Sequence, residues 1–290
     1  MTTATLQPQE EVLNLRAYNA PEVASHYASL NYLTPCEQLL FRTYLRPGMS
    51  ILDLGVGGGR TTKYLSTIAS RYVGVDYSEA MISSCREKFP ALDFRLADAS
   101  DLSPFSDESF DAVVFSFNGL DYVLPDEKRL RCLRECARVL RPDGVFIFSS
   151  HNPRSILVRA EWDRARLRSF AQKLVPQGNP LLTIAIAVLT PVKALLSFAR
   201  ATIGTSRKIL QRIPASAFWC GEGTLADPVH GGLATHYSVP EHVTAELTAF
   251  DFRLVKIIGD DYPRASGRLV TDWYYYVFSK TESMERKACA

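Results

Sequence analysis

A chain that repeats buried strand, glycine turn, helix and buried strand has few folds open to it, and this one does so from Ser50 to Ser150. "SILDLG", "RYVGVDYS", "DFRLADA", "FDAVVFSF" and "GVFIFSS" read as five strands. They are apolar almost throughout rather than alternating, the pattern of strands covered on both faces. "RTTKYLSTIAS", "SEAMISSCREKF" (with Ser78 as N-cap) and "DEKRLRCLRECARVL", ended by "RPDG", read as helices between them. The alternation predicts a doubly wound α/β sheet with its ligand at the carboxyl ends of the strands.

The first turn, "ILDLGVGGGR" (Ile51 to Arg60), narrows the ligand. Glycines let backbone approach a ligand closely. The dinucleotide fingerprint G-x-G-x-x-G fails, because Arg60 stands where the third glycine belongs. The phosphate-cradling loop fails too, since Gly59-Arg60-Thr61 replaces Gly-Lys-Ser/Thr. The acids point elsewhere. Asp53 precedes the loop, where it would repel a pyrophosphate and attract a cationic amino acid. Asp76 ends the second strand, placed for ribose hydroxyls, and Asp98 ends the third, placed for an adenine amino group. A cationic nucleoside with an amino-acid tail fits all three.

These segments resemble the class I S-adenosylmethionine-dependent methyltransferases of the small-molecule branch. "ILDLGVGGGRTTKYL" is similar to their motif I, and "VGVDYSEAMI" to their ribose segment. "LADASDLSPFSDESFDAVVFSF" is similar to their adenine strand and the strand after it, and "ARVLRPDGVFIFS" to their R-x-L-K-P-G-G segment, with Asp143 in place of a glycine. The resemblance covers residues 33–150 and the last two strands. It implies a Rossmann-like seven-stranded sheet with the last strand antiparallel, S-adenosyl-L-methionine as cofactor, S-adenosyl-L-homocysteine as product, and no metal. Carried over, Asp53, Gly55 and Gly57 line the methionine moiety and Asp76 holds the ribose. Tyr77 or Met81 covers an adenine face, and Asp98 and Ala99 meet the adenine edge. Phe117 or Asn118 lies near the methionine carboxylate or amine. Tyr18 and Tyr27 lie in a segment similar to the family's N-terminal lid.

After the fifth strand the pattern breaks. Residues 152–235 hold no evident strand, and from Arg154 to Arg212 there are eleven Lys/Arg against two Asp/Glu, net +9 in a chain whose total is +2. Within it Leu181 to Phe198 is strongly apolar, interrupted by Pro191 and Lys193. The preferred reading is an α-helical insertion after strand 5 that caps the acceptor. The alternative is a basic, apolar surface that contacts a membrane or a lipidic substrate through 154–212. "SVPEHVTAELTAF" then reads as a helix opening near Ser238, and "FRLVKIIGD" and "WYYYVFSK" as an antiparallel pair. The domain reading is therefore a helical lid at 1–48, a core at 49–151 and 236–282, the insertion at 152–235 and a tail at 283–290.

The near-neutral total charge gives no argument for a nucleic-acid partner. Six scattered cysteines form no disulfide framework, and Cys132 and Cys136 suit a helix core better than a metal. The polar N-terminus has no signal-peptide core, so a cytoplasmic location is expected. The expected reaction is transfer of a methyl group to a small-molecule acceptor, favouring a hydroxyl over nitrogen or carbon. His151, directly after the fifth strand, is the candidate general base. His230 and His236 flank the re-entry into the core, and Glu222 is a weaker candidate. A nicotinamide-dependent oxidoreductase and a non-catalytic methyltransferase-like partner protein are the rival readings.

Overall fold

The computed structural model describes residues 7–153, 222–227, 233–264 and 271–282. A seven-stranded sheet runs through it. Its strands are β1 (Ser50–Leu54), β2 (Arg71–Asp76), β3 (Asp93–Leu96), β4 (Phe110–Phe115), β5 (Leu140–His151), β8 (Phe252–Gly259) and β9 (Trp273–Lys280), in the spatial order β3-β2-β1-β4-β5-β9-β8. The first five are parallel, while β9 runs antiparallel to both β5 and β8. The order reverses between β1 and β4, where a doubly wound sheet opens its crevice.

The sheet is covered on both faces, and neighbouring residues on each strand go to opposite cores. Leu52, Val113, Phe146 and Tyr276 face one, with Cys132 and Cys136 of α6 (Asp126–Val139) and Leu247 of α7 (Pro240–Thr248). Ile51, Val114, Ile147 and Tyr275 face the other, with Phe41 of α3 (Pro35–Tyr44), Leu65 of α4 (Thr62–Ile68) and Cys85 of α5 (Glu79–Lys88). Each large side chain buried this way contributes about 1.5–3 kcal/mol. The two faces explain why the strand sequences are apolar rather than alternating.

Local chemistry sets the helix ends. Ser78 caps α5, its hydroxyl accepting from the Met81 N–H (3.3 Å). The long helical pattern before the sheet divides into α2 (Pro21–Ser29) and α3, because Thr34 and Glu37 form a capping box and Pro35 opens the second helix. A further helix, α1 (Gln7–Tyr18), precedes them.

Three expectations change. "RPDG" is not a turn outside the strand: β5 runs unbroken from Leu140, and a register shift opposite Phe110 and Ala112 absorbs the irregularity. Asp143 takes φ +60° there, the left-handed conformation its glycine counterpart would adopt at lower cost. The span 152–235 is not helical to its end, since β6 (Glu222–Asp227) and β7 (Leu233–Ser238) pair as an antiparallel hairpin. Ser238 closes β7, and α7 starts at Pro240 instead. Residues 154–221, including the apolar stretch 181–198, lie outside the described residues. Among those described, no helix is long and apolar enough to cross a membrane.

Candidate active site

A cavity of about 1050 Å³, counted to its open mouth, lies at the carboxyl ends of β1, β2 and β4. Its floor is the glycine loop, which turns through left-handed backbone at Gly55, Gly57 and Gly59. Gly58 makes the closest approach: a Cβ there would lie 2.4 Å from backbone of Tyr27 and Ala28 in α2. Lys88 closes the same seam, donating to the carbonyls of Ala28 (2.8 Å) and Gly58 (2.6 Å).

Two buried carboxylates shape the loop. Asp76 accepts from the Gly57 N–H (2.8 Å) on one oxygen and from the Ser78 N–H (2.9 Å) on the other. Asp53 accepts from the Thr61 hydroxyl and the Tyr72 hydroxyl, both at 2.8 Å. Burial pushes each carboxyl up to about 6, against the hydrogen bonds that lower it. Asp53 therefore lines the cavity while also fastening β1 to α4 and β2. Arg60, also on the wall, is held by Glu37 in a buried bidentate pair (2.6 and 2.7 Å) and donates to the Tyr32 carbonyl. With its charge so matched, it adds little to attract a phosphate.

The lid comes from α1 and α2. Tyr18 meets Tyr27, Tyr77 and Tyr122 edge to face at 6.0, 6.2 and 5.9 Å. Asn19 ties the lid to the start of α5, its Oδ1 accepting from the Ser78 hydroxyl (2.9 Å). Lys128 bridges Glu11 of α1 to Asp98 (2.7 Å to Asp98). Burial would raise the Asp98 carboxyl, but Lys128 and Ser100 outweigh it and hold it below the usual range.

Of the residues proposed from sequence, Tyr18, Tyr27, Asp53, Gly55, Gly57 and Asp76 line this one cavity, as do Tyr77, Met81, Asp98, Ala99 and Phe117. Asn118 and His151 are not among the residues that line it; Nδ2 of Asn118 lies 3.1 Å from Nε2 of His151. His151 belongs to a buried constellation at the β5 end. Asp121, fully buried, accepts on Oδ2 from the His151 N–H (2.7 Å) and the ring Nδ1–H (2.8 Å). On Oδ1 it accepts from the Ser150 hydroxyl (2.8 Å). A carboxylate only accepts, so this arrangement puts the ring proton on Nδ1 and leaves the Nε2 lone pair towards Asn118.

His236 does not join this group. Strand alternation turns Tyr237 onto the His151 ring (5.0 Å) and His236 to the other side of the hairpin. It is buried there, with Asp126 at 3.5 Å and Glu222 at 4.0 Å as its nearest acids. Glu222 approaches His242 (3.2 Å), away from the cavity wall. His230 lies outside the described residues.

Sequence reasoning missed Asp121 and Glu37. Asp121 is a lone acid in the apolar run "NGLDYVL". Once β4 and β5 are known to be neighbours, the turn after β4 has to pass the end of β5, and that was the available signal. Nothing local marks Glu37 as the partner of Arg60.

The residues present fit a cationic nucleoside. The wall carries two buried carboxyls that burial pushes up to about 6, glycine backbone and the Tyr77 hydroxyl, which is buried without a hydrogen-bond partner among the described residues. Sheet order, glycine loop and acids on successive strand ends define a class I S-adenosylmethionine-dependent methyltransferase domain. Residues 52–148 match the family model described as a methyltransferase domain, and this part of the chain belongs to that family. A demethylmenaquinone methyltransferase from Clavibacter sepedonicus is 39% identical over 120 residues, covering 40% of this chain and 47% of that protein. A phthiotriol/phenolphthiotriol dimycocerosates methyltransferase from Mycobacterium tuberculosis is 35% identical over 134 residues, covering 44% and 48%. The chain thus spans less than half the length of these curated relatives. Among solved structures, the CcbJ methyltransferase from Streptomyces caelestis shares the fold, with a TM-score of 0.56 at 18% identity over 92% of this chain and 98% of that one.

Proposed function

We propose that the protein transfers a methyl group from S-adenosylmethionine to a hydroxyl of a small-molecule acceptor, with His151 as the general base. The observation that carries this reading is the Asp121–His151 pair, in which Asp121 accepts from the ring Nδ1–H and Tyr122 of the cavity wall meets the imidazole edge to face at 6.1 Å. The relatives named for a demethylmenaquinone and for phthiotriol dimycocerosates support a small-molecule acceptor.

The bound cofactor supplies an electrophilic methyl group on a sulfonium. Asp53 and Asp76 offer negative charge and hydrogen-bond acceptors to the cationic, hydroxyl-bearing ligand, and the tyrosine lid excludes water. Aligning donor and acceptor is the larger contribution, since effective molarities reach about 10⁵–10⁸ M. His151 removes the hydroxyl proton, an effect of about 10²–10⁴ in rate. Asp121 is a positioning residue: it fixes the ring's tautomer and stabilises the imidazolium that forms.

Calorimetry with S-adenosylmethionine and labelled-methyl transfer to a panel of hydroxyl, amine and carbon acceptors test the reading. Expected are tight cofactor binding, labelled methyl ethers, and loss of transfer but not of binding in His151→Ala. Full activity in His151→Ala removes the base, and absence of cofactor binding overturns the whole assignment.

A further inference from the structure

We propose that Lys128 is a positioning residue that fastens the lid helix α1 over the cofactor cavity, holding Glu11 and Asp98 together and so setting how long the cofactor stays bound. This rests on the reading of the cavity as the S-adenosylmethionine site.

Helix α1 has little apolar surface to hold it down. Among residues 11–18 the one buried side chain is Asn14, while Val12 and Leu13 are 46% and 58% exposed. A helix of 12 residues is marginal by itself, and helices in proteins are held mostly by burying an apolar face. Here separate ties to different elements take that role. Asn14 Nδ2 donates to the Ala234 carbonyl of β7 at 2.9 Å. Tyr18, in the tyrosine cluster, and Asn19, on the Ser78 hydroxyl, secure the C-terminal end. Glu11 secures the N-terminal half through Lys128 of α6. A segment held by a few side-chain contacts opens at lower cost than one held by a core.

The Glu11 tie differs from the others because both of its ends reach the cofactor site. Glu11 and Asp98 line the cavity, and Lys128 donates to both, at 2.7 Å to Asp98 Oδ2. Asp98 Oδ1 accepts from the Ser100 N–H at 2.8 Å. A carboxylate offers about four acceptor positions, so Asp98 keeps room for the adenine amino group while tied to Lys128. All three side chains are partly buried and share one cation, an arrangement in which ion pairs contribute more than they do singly at a surface. Removing Lys128 does more than delete an attraction. It leaves the Glu11 and Asp98 carboxylates on the same cavity without the cation between them, and like charges oppose the docked lid. Lys128 itself does not line the cavity, so it acts through these two residues, on cofactor residence rather than on the reacting atoms.

The test measures release of S-adenosylhomocysteine from the full chain by stopped-flow competition, together with hydrogen exchange of the α1 amides. Lys128→Met keeps the apolar stem and removes the charge. Release should quicken about tenfold, as expected for losing charge-assisted hydrogen bonds. Exchange should rise in α1 and stay unchanged in β1 and β4. Raising salt from about 0.05 M to about 0.5 M should quicken release from the wild-type protein and leave the variant little affected. Glu11→Gln should also quicken release yet add little in the Lys128→Met background, because both cut one bridge. Lys128→Arg should restore slow release, since its five donors can serve both carboxylates. The proposal is overturned if Lys128→Met releases within about twofold of the wild-type rate, the range of an inert surface pair. It is equally overturned if release quickens with α1 exchange unchanged, or if Glu11→Gln has no effect. Where Lys128→Met loosens β1 and β4 as well, Glu11→Gln decides. Failure of the wild-type protein to bind S-adenosylhomocysteine instead overturns the methyltransferase reading beneath it.

Discussion

Replacing Asp121 with asparagine separates the charge of this side chain from its hydrogen bonds. Both donors on Oδ2, the His151 N–H and Nδ1–H, require an oxygen there, and a backbone N–H can never accept. The amide oxygen must therefore take that place, and the amide nitrogen falls opposite the Ser150 hydroxyl, which can rotate to accept. Tautomer and fold survive while the carboxylate charge is lost. What changes is the stabilisation of the imidazolium during proton transfer. Unit charges about 4 Å apart at an effective dielectric of about 20 interact by about 4 kcal/mol. Weakening the charge-assisted bonds alone costs about 1–1.5 kcal/mol. The expected fall in single-turnover methyl transfer is thus about 10–10³-fold, with cofactor affinity measured by calorimetry little changed. Asp121→Ala differs in kind, stranding three donors at about 1–3 kcal/mol each, so its main effect should be on folding. An asparagine variant that transfers methyl groups within threefold of the wild-type rate refutes the reasoning.

Asp76→Ala strands the Gly57 and Ser78 amides and removes the expected ribose acceptor, so cofactor Kd should rise about 10²-fold or more by titration; an unchanged Kd removes Asp76 from the site. Asp53 and Asp76 both titrate near 6 instead of their ordinary 3.8. Raised carboxyls contribute stability that is present below 3.8 and lost as pH rises through about 6, on the order of 2–3 kcal/mol each, which melting of the ligand-free protein should register. A cationic ligand favours the ionised forms, so its affinity should climb from pH 4.5 to 6.5 and then level off; a flat titration across that range counts against carboxylate recognition. Asp143→Gly should stabilise by about 1 kcal/mol in chemical denaturation, since the left-handed backbone no longer opposes a Cβ, and a loss of stability would show the aspartate side chain is needed there.

Much of the donor site was legible because its requirements are local. A parallel strand buried on both faces has to be an apolar run, a loop in left-handed backbone needs glycine at Gly55, Gly57 and Gly59, and strand ends place Asp76 and Asp98 at fixed distances along the chain. The acceptor side depends on pairings between distant segments. Asp121 meets His151, 30 residues away, because β4 and β5 are neighbours in the sheet. His236 is a secondary candidate in sequence behind His151, and strand alternation in the hairpin gives the ring contact to Tyr237 and sends His236 towards Asp126. Arg60 marked the loop as unsuited to phosphate, but only packing of α3 beside it supplied Glu37 to match its charge. The sequence by itself determined the sheet, the glycine loop and the placement of Asp53, Asp76 and Asp98 at the strand ends, since each follows from backbone conformation and burial. The tertiary structure alone decided which histidine has a carboxylate behind it, because that depends on which strands are adjacent and which face each side chain takes.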